Sequence, residues 1–326
     1  MEQKVLRAGT FAVVCALVLR LVGAVNWNVV LPKDTTAWIL FLQTGRVIRP
    51  VNIQFAPQST EPTEETVPDT TQPPTVDKPV FSETDAGNIK INSGFSYTAD
   101  LPALIQKPLE WDLTGDAPTV LILHSHGSES FAPTGEYTES SPYHTLDNGY
   151  NMVSIGAHLA ELLEAGGICV VQDSTLHDNP SYNASYGNSR AAAQDYLEKY
   201  PSIRLVLDLH RDSIADADGN QVAQTVFSEG SSLAPLMFVV GTDYGGLSHP
   251  QWQENLALAL KLQTQLESIC PGICRNINLR TQRFNQDLSP GALLVEVGSS
   301  GNQRGEALRA AEVLAEGILS LAHGSQ

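Results

Sequence analysis

Short aliphatic runs alternate with longer amphipathic segments from residue 119 to the C-terminus. The short runs predict strands over 119–123, 168–171, 205–209, 236–240, 277–283 and 292–297. Segments in which apolar residues recur every three or four positions predict helices over 151–164, 189–200, 251–269 and 306–322. This alternation predicts an α/β fold with a mostly parallel sheet flanked by helices on both faces.

The N-terminal part of the chain has a different pattern. A basic tip precedes an apolar run over residues 8–25, which predicts a membrane anchor or a secretion signal within residues 1–35. The small residues at 22–24 favour cleavage, whereas apolarity that continues to residue 31 favours a retained span. Both alternatives place the rest of the chain outside the cytoplasm, and a retained span predicts a single-pass protein of the cell membrane.

A linker and a catalytic domain are predicted to follow. Residues 36–95 are rich in threonine, proline and acidic residues over most of their length. Such a composition buries too little apolar surface to offset the entropy of ordering, so an extended linker is expected. Residues 96–326 are predicted to form the globular catalytic domain.

The charge of the chain narrows the classes of partner. The net charge is −17 and the isoelectric point is about 4.7. A polyanion would be repelled, which excludes nucleic acid as the expected partner. Cys270 and Cys274 form a C-x3-C pair without a second pair, and no role is assigned to them.

Histidine and glutamate residues, which can bind metals or transfer protons, lie just after or within three of the predicted strands. The stretch LILHSHGSES places His126 and Glu129 just beyond the first of these strands, RLVLDLH ends at His210, and ALLVEVG carries Glu296. In open α/β sheets ligands bind beyond the carboxyl ends of the strands. These four side chains are therefore predicted to meet at one edge of the sheet.

A zinc site is the chemistry that these residue types favour. His126, Glu129 and His210 are predicted as three zinc ligands, with a fourth position open for water. The identity of the carboxylate stays open, because Asp147 or Glu139 in place of Glu129 would also complete the site. Two imidazoles and one carboxylate leave the metal electrophilic, as hydrolysis requires.

Two further residues are predicted to act in catalysis. Glu296 lies inside an apolar strand, where a carboxylate is costly unless it has a partner or a function. It is predicted as the general base that takes a proton from water and passes it to the leaving amine, which gives amide hydrolysis. Arg211 is predicted to stabilise the oxyanion or to bind a substrate carboxylate. A structural ion pair between Glu296 and Arg211 is the alternative.

Five stretches of the chain resemble one known family. They are LILHSHGSES, LDNGYNMVSIGAHL, STLHDNPSYNASYGNSR, LDLHRDS and NQDLSPGALLVEVGSSGN, and the resemblance covers most of residues 115–305. Together they resemble the stage II sporulation protein P (SpoIIP) family. The resemblance assigns His126 and His210 to the metal and Glu296 to catalysis, and it leaves the third ligand open.

The resemblance implies an activity and partners. It implies a zinc-dependent N-acetylmuramoyl-L-alanine amidase that acts on peptidoglycan and also cleaves peptide cross-links, with a fold related to zinc amidases and carboxypeptidases. It also implies a lytic transglycosylase partner (SpoIID) and a membrane-protein partner (SpoIIM) during engulfment of the forespore. The competing interpretations are a metallocarboxypeptidase-like enzyme acting on wall-derived peptides and a catalytically inactive wall-binding module.

Overall fold

The computed structural model describes residues 78–109 and 111–323. The predicted anchor over residues 1–35 and most of the predicted linker lie outside the described residues. Among the helices that are described, none is both long and apolar enough to cross a membrane.

Helices and strands alternate along the described chain. The helices are α1 (Glu83–Asn88), α2 (Leu101–Gln106), α3 (Met152–Ala165), α4 (Ser185–Lys199), α5 (Trp252–Ile269) and α6 (Arg304–His323). The strands are β1 (Ile91–Ser93), β2 (Val120–Leu123), β3 (Val170–Gln172), β4 (Leu205–Asp212), β5 (Val226–Ser228), β6 (Ser231–Leu233), β7 (Leu236–Gly241), β8 (Ile277–Arg280) and β9 (Ala292–Ser299). All the elements predicted over 119–322 are present with shifted ends, whereas the short elements α1, β1, α2, β5 and β6 were not predicted.

Seven strands form one sheet, in the order β1-β8-β7-β9-β4-β2-β3. The neighbouring strands run parallel in every pair of this sheet except β7–β9. The prediction of a mostly parallel sheet is therefore confirmed. The antiparallel pair has one consequence that the sequence pattern did not give: β2, β4 and β9 end at one edge of the sheet, and β7 and β8 begin there.

The two faces of the sheet are covered unequally. Helices α3, α5 and α6 contribute to the main core on one face, and α4 packs on the other face over β2 and β4. Beyond α4 the second face carries Met237 and Val239 of β7 and Leu294 of β9, which pack with Phe284. No described helix contributes to this small cluster, so the second face stays open there.

The predicted boundary at residue 95 lies too far along the chain. Helix α1 and strand β1 fall inside the predicted linker, and Ile91 of β1 pairs with Ile277 of β8. Phe81 and Ile89 also pack against the main core. Composition alone placed the boundary late, because these few apolar residues follow a long stretch of threonine and proline.

Candidate active site

An open cleft of about 1110 Å³ lies where β2, β4 and β9 end. Its lining includes all five residues predicted for the site: His126, Glu129, His210, Arg211 and Glu296. The structure therefore brings together side chains that are up to 170 positions apart in the sequence (296 − 126). Parallel packing of β2 against β4 and of β4 against β9 accounts for this, because it places the three carboxyl ends side by side.

His126 follows β2 and is held between aromatic rings. Its ring stacks on that of Tyr182 at 4.2 Å and meets that of His210 edge-on at 5.2 Å. Burial, with a smaller contribution from His210, lowers the pKa of His126. The neutral imidazole is the form that binds metals, and His126 Nδ1 has no hydrogen-bond partner among the described residues.

His210 lies between two carboxylates. Nε2 is 3.0 Å from Asp208 Oδ1 without the alignment of a hydrogen bond. Nδ1 is 3.6 Å from Glu129 Oε2, which is too long for one. Burial by itself would lower the pKa of His210, but Asp208 and the other carboxylates outweigh burial and raise it to about 9. Asp208 is fixed in turn by Ser125, whose N–H and hydroxyl donate to it over 2.8 and 2.6 Å.

Arg211 holds Glu129 in place. Its backbone N–H donates to Glu129 Oε2 over 3.2 Å and Nη1 donates to Oε1 over 3.3 Å. Nε and Nη2 donate to the carbonyls of Ser130 and Tyr143 over 3.0 and 2.9 Å. All three guanidinium nitrogens therefore donate hydrogen bonds within the protein. This arrangement suits a residue that holds Glu129 in position. The alternative ion pair between Arg211 and Glu296 is not formed in the described structure.

Glu296 lies in the middle of the cleft floor. It sits opposite His210 on β4 and Met237 on β7. Burial of the carboxyl raises its pKa to about 8, and Oε2 has no hydrogen-bond partner among the described residues. A half-buried carboxyl with a raised pKa and one buried oxygen that has no hydrogen-bond partner is suited to accept and return a proton.

The two alternative acids lie away from the cleft. Asp147 is exposed and accepts a hydrogen bond from the N–H of Gly149, while Glu139 accepts one from the N–H of Tyr143. Neither lines the cleft. Of the three acids considered from the sequence, Glu129 is the one with a contact to a predicted ligand histidine, His210, at 3.6 Å.

Sequence reasoning missed the residues that enclose the histidines. Tyr182 and Tyr186 line the cleft, and Tyr186 contacts the rings of both His126 and His210. Their spacing of four positions at the start of a helix could have placed them on one helical face. Asp178, also in this segment, accepts hydrogen bonds from the N–H and the hydroxyl of Ser128 over 3.1 and 2.6 Å, which fixes the turn after β2.

The fit of these residues to zinc can be judged from their donor atoms. No three His, Cys, Asp or Glu side chains within 78–109 and 111–323 are already spaced as a metal site. Nδ1 of His126 and Nε2 of His210 are nevertheless buried without a hydrogen-bond partner, and Nε2 also lies 3.0 Å from Asp208 Oδ1. Imidazole nitrogens are donors that zinc accepts. Glu129 is held by Arg211 and has to turn toward the histidines to join them. The histidine pair therefore fits zinc, and Glu129 as third ligand remains a prediction.

Comparison with known proteins identifies the family. The sequence model of stage II sporulation protein P matches residues 47–319. Stage II sporulation protein P of Bacillus subtilis (strain 168) is 29% identical over 222 residues, which are 65% of this chain and 53% of that protein. The chain thus spans about half the length of this relative.

Solved structures with similar folds include two amidases. The CwlD amidase of Clostridioides difficile, solved with the GerS lipoprotein, is 13% identical, with a TM-score of 0.41 over 62% of this chain and 98% of that one. The N-acetylmuramoyl-L-alanine amidase AmiC2 of Nostoc punctiforme is 18% identical, with a TM-score of 0.39 over 64% of this chain and 97% of that one. The family match, which spans the whole cleft, is the stronger finding. This chain belongs to the stage II sporulation protein P family.

Proposed function

We propose that the chain is a zinc-dependent peptidoglycan hydrolase that cleaves the amide between N-acetylmuramic acid and L-alanine. The observation that carries the proposal is the meeting of two buried histidines and the carboxyl of Glu296 in one open cleft. Membership of the sporulation family supports action on the cell wall during engulfment. Cleavage of peptide cross-links is proposed as a second reaction of the same cleft.

We propose His126, His210 and Glu129 as the residues that hold zinc. When bound there, zinc supplies a Lewis acid that polarises the scissile carbonyl. Arg211 fixes the position of Glu129. Asp208 lies 3.0 Å from Nε2 of His210.

Glu296 is proposed to move the proton. Its free Oε2 accepts a proton from the attacking water as the new C–O bond forms, and returns it to the amine nitrogen of L-alanine as the C–N bond breaks. Met237 lies opposite Glu296 in the sheet, and burial raises the pKa of the Glu296 carboxyl to about 8.

The test combines metal content with wall hydrolysis by the full chain. Unaltered protein is expected to bind about one zinc ion, as in single-metal hydrolytic sites, and to release stem peptides from purified sacculi. His210→Ala is expected to lose both properties, and Glu296→Gln to keep zinc but lose cleavage by at least ~100-fold. His158→Ala serves as a control, because His158 lies on α3 and does not line the cleft. Cleavage by a metal-free protein would contradict the proposed mechanism.

We also propose that residues 1–35 anchor the chain to the cell membrane, with the hydrolase domain outside the cytoplasm. The basic tip and the apolar run over residues 8–25 support this. SpoIID-like and SpoIIM-like proteins are the proposed partners at the membrane. Protease added outside intact cells stripped of their wall should digest the domain but leave a membrane-bound N-terminal fragment, and a fully released chain would contradict the anchor.

A further inference from the structure

The cleft continues from the catalytic edge across the part of the sheet that α4 does not cover. Its floor there is apolar, formed by Leu294 of β9 and by Met237 and Val239 of β7, with Phe284 at its side. At its far end the cleft is lined by Arg280, the last residue of β8. One continuous surface therefore joins Glu296 to an arginine.

Strand register places Glu296 and Arg280 on the same face of the sheet. Glu296 lies opposite Met237 on β7, and Gly241, four positions farther along β7, lies opposite Arg280 on β8. With a rise of about 3.3 Å per residue and about 4.8 Å between strands, the Cα atoms of Glu296 and Arg280 are ~16 Å apart. An extended peptide of about four residues, starting at Glu296, would bring its end within reach of the Arg280 side chain.

The charge of Arg280 is left uncompensated within the described residues. The other two arginines that line the cleft are engaged: Arg211 with Glu129, and Arg275 with Asp212 over 2.7 Å. Arg280 is exposed, and its guanidinium makes no hydrogen bond or ion pair in the part of the chain that the structure describes. A cleft in a chain of net charge −17 thus presents one arginine that is free to bind an anion.

We propose that Arg280 binds a carboxylate of the peptide part of the substrate, about four residues from the bond that is cleaved. The inference rests on the proposed function, because it takes the amide next to Glu296 as the scissile bond. An arginine fork matches a carboxylate in a bidentate arrangement. The apolar floor takes the methyl and methylene groups of the peptide, and the sugar then lies on the opposite side of Glu296, toward Tyr182.

The experiment measures binding separately from cleavage. The ligands are N-acetylmuramoyl-L-Ala-γ-D-Glu-L-Lys-D-Ala with a free terminal carboxylate and the same molecule with a terminal carboxamide. Because lysine has no carboxylate in its side chain, the terminal carboxylate is the only carboxylate of this ligand that lies four residues from the scissile amide. Affinities are measured by calorimetry on the full chain carrying Glu296→Gln, which blocks cleavage, with Arg280 intact or changed to Gln or Lys.

A matched control removes the same charge outside the cleft. Arg204 is exposed beside the start of β4, at the other edge of the sheet, and donates only to the carbonyls of Pro201 and Ile203. With Arg280 intact, the carboxylate ligand is expected to bind about fivefold more tightly than the carboxamide, which is the upper part of what an exposed ion pair contributes. Arg280→Gln should abolish this preference, Arg280→Lys should keep part of it, and Arg204→Gln should keep all of it.

Three results would overturn the proposal. The first is equal affinity for the carboxylate and carboxamide ligands with Arg280 intact, and the second is that neither ligand binds. The third is that Arg280→Gln weakens the affinity for both ligands equally. Sacculus hydrolysis by the chain with Glu296 intact is measured alongside. Carboxylate preference without wall cleavage leaves the Arg280 site standing and contradicts the hydrolase. Wall cleavage without the preference contradicts the Arg280 site alone.

Discussion

At the scale of single residues, the site holds two histidines in opposite electrostatic states. Burial lowers the pKa of His126, whereas the carboxylates around His210 raise its pKa to about 9. His126 is thus neutral and ready to bind a cation, and His210 keeps its proton until a cation replaces it. Asp208 causes most of this difference, because it contacts His210 directly.

The raised pKa values of His210 and Glu296 predict how the metal-free protein responds to pH. They are about 9 and about 8 in the folded chain, against ordinary values of 6.5 and 4.5. Each group therefore adds stability that is fully present below its ordinary pKa and is lost as the pH rises through the folded value. We expect the Tm of the EDTA-treated chain to fall between about pH 5 and about pH 9.

The same titration with Glu296→Gln separates the two groups. This variant should show a smaller fall in Tm below about pH 8, because its amide does not titrate. A Tm that rises with pH, or an unchanged slope in the variant, would show that these groups do not hold their protons as inferred.

Gly156 offers a second test at this scale. A Cβ at this position of α3 would lie 2.6 Å from the ring of His124 and 2.6 Å from Gln172 Nε2. His124 is fully buried and contacts the carbonyl of Leu209, so it has little room to move. Its ring faces α3. We expect Gly156→Ala to lower the free energy of unfolding by ~1–3 kcal/mol, measured in urea.

Gly187→Ala is the matched control for this substitution. Gly187 lies within α4, and nothing is within 4 Å of a Cβ placed there. Alanine should therefore raise the free energy of unfolding by up to ~1 kcal/mol through helix propensity. Equal effects of the two substitutions would rule out steric crowding at Gly156.

At the scale of elements, the direction of β7 shapes the cleft. Because β7 runs antiparallel to β9, Met237 at the start of β7 lies beside Glu296 near the end of β9. The open face beyond α4 then supplies an apolar floor that leads away from the candidate active site. A fully parallel sheet would have placed a strand end and its loop at this position.

The early elements α1 and β1 predict the shortest stable domain. A chain that starts at residue 96 loses both, together with the contacts of Phe81, Ile89 and Ile91 to the core. We expect the chain 78–326 to exceed the chain 96–326 in free energy of unfolding by ~2–5 kcal/mol, since burial of each such side chain contributes ~1.5–3 kcal/mol before ordering costs. Urea unfolding of the two chains provides the measurement. Equal stability would mean that β1 contributes nothing to the sheet.

At the scale of the whole molecule, charge predicts how the chain reaches its substrate. The net charge is −17, and the cell wall is itself anionic. Non-specific attraction is therefore not expected to hold the chain on the wall, which favours localisation by the proposed membrane anchor and proposed partner proteins. We expect the chain 78–326 to show little retention on purified sacculi at low salt, with a basic protein as the positive control. Strong retention that salt removes would contradict this prediction.

Much of the fold could be predicted from the sequence, because hydrophobic periodicity is a local property. The strands ending near His126 and His210, the strand carrying Glu296, and the four long helices were all predicted within a few residues. The short elements β1 and α1 were not, since three to six residues carry too little periodic signal. The direction of β7 was not predicted either, because a strand buried on both faces has the same pattern in both directions.

Local patterns in the sequence were enough to predict the chemical groups of the candidate site and the edge of the sheet at which they meet. Histidines and carboxylates at strand ends, with family motifs around them, were sufficient for that. The contacts that surround these groups are visible only in the folded chain: Arg211 on Glu129, Asp208 beside His210, and Tyr182 stacked on His126. Such contacts depend on side-chain directions and on strand register across long separations, which no local pattern encodes. The same reason explains why the apolar floor leading to Arg280 is visible only in the folded chain.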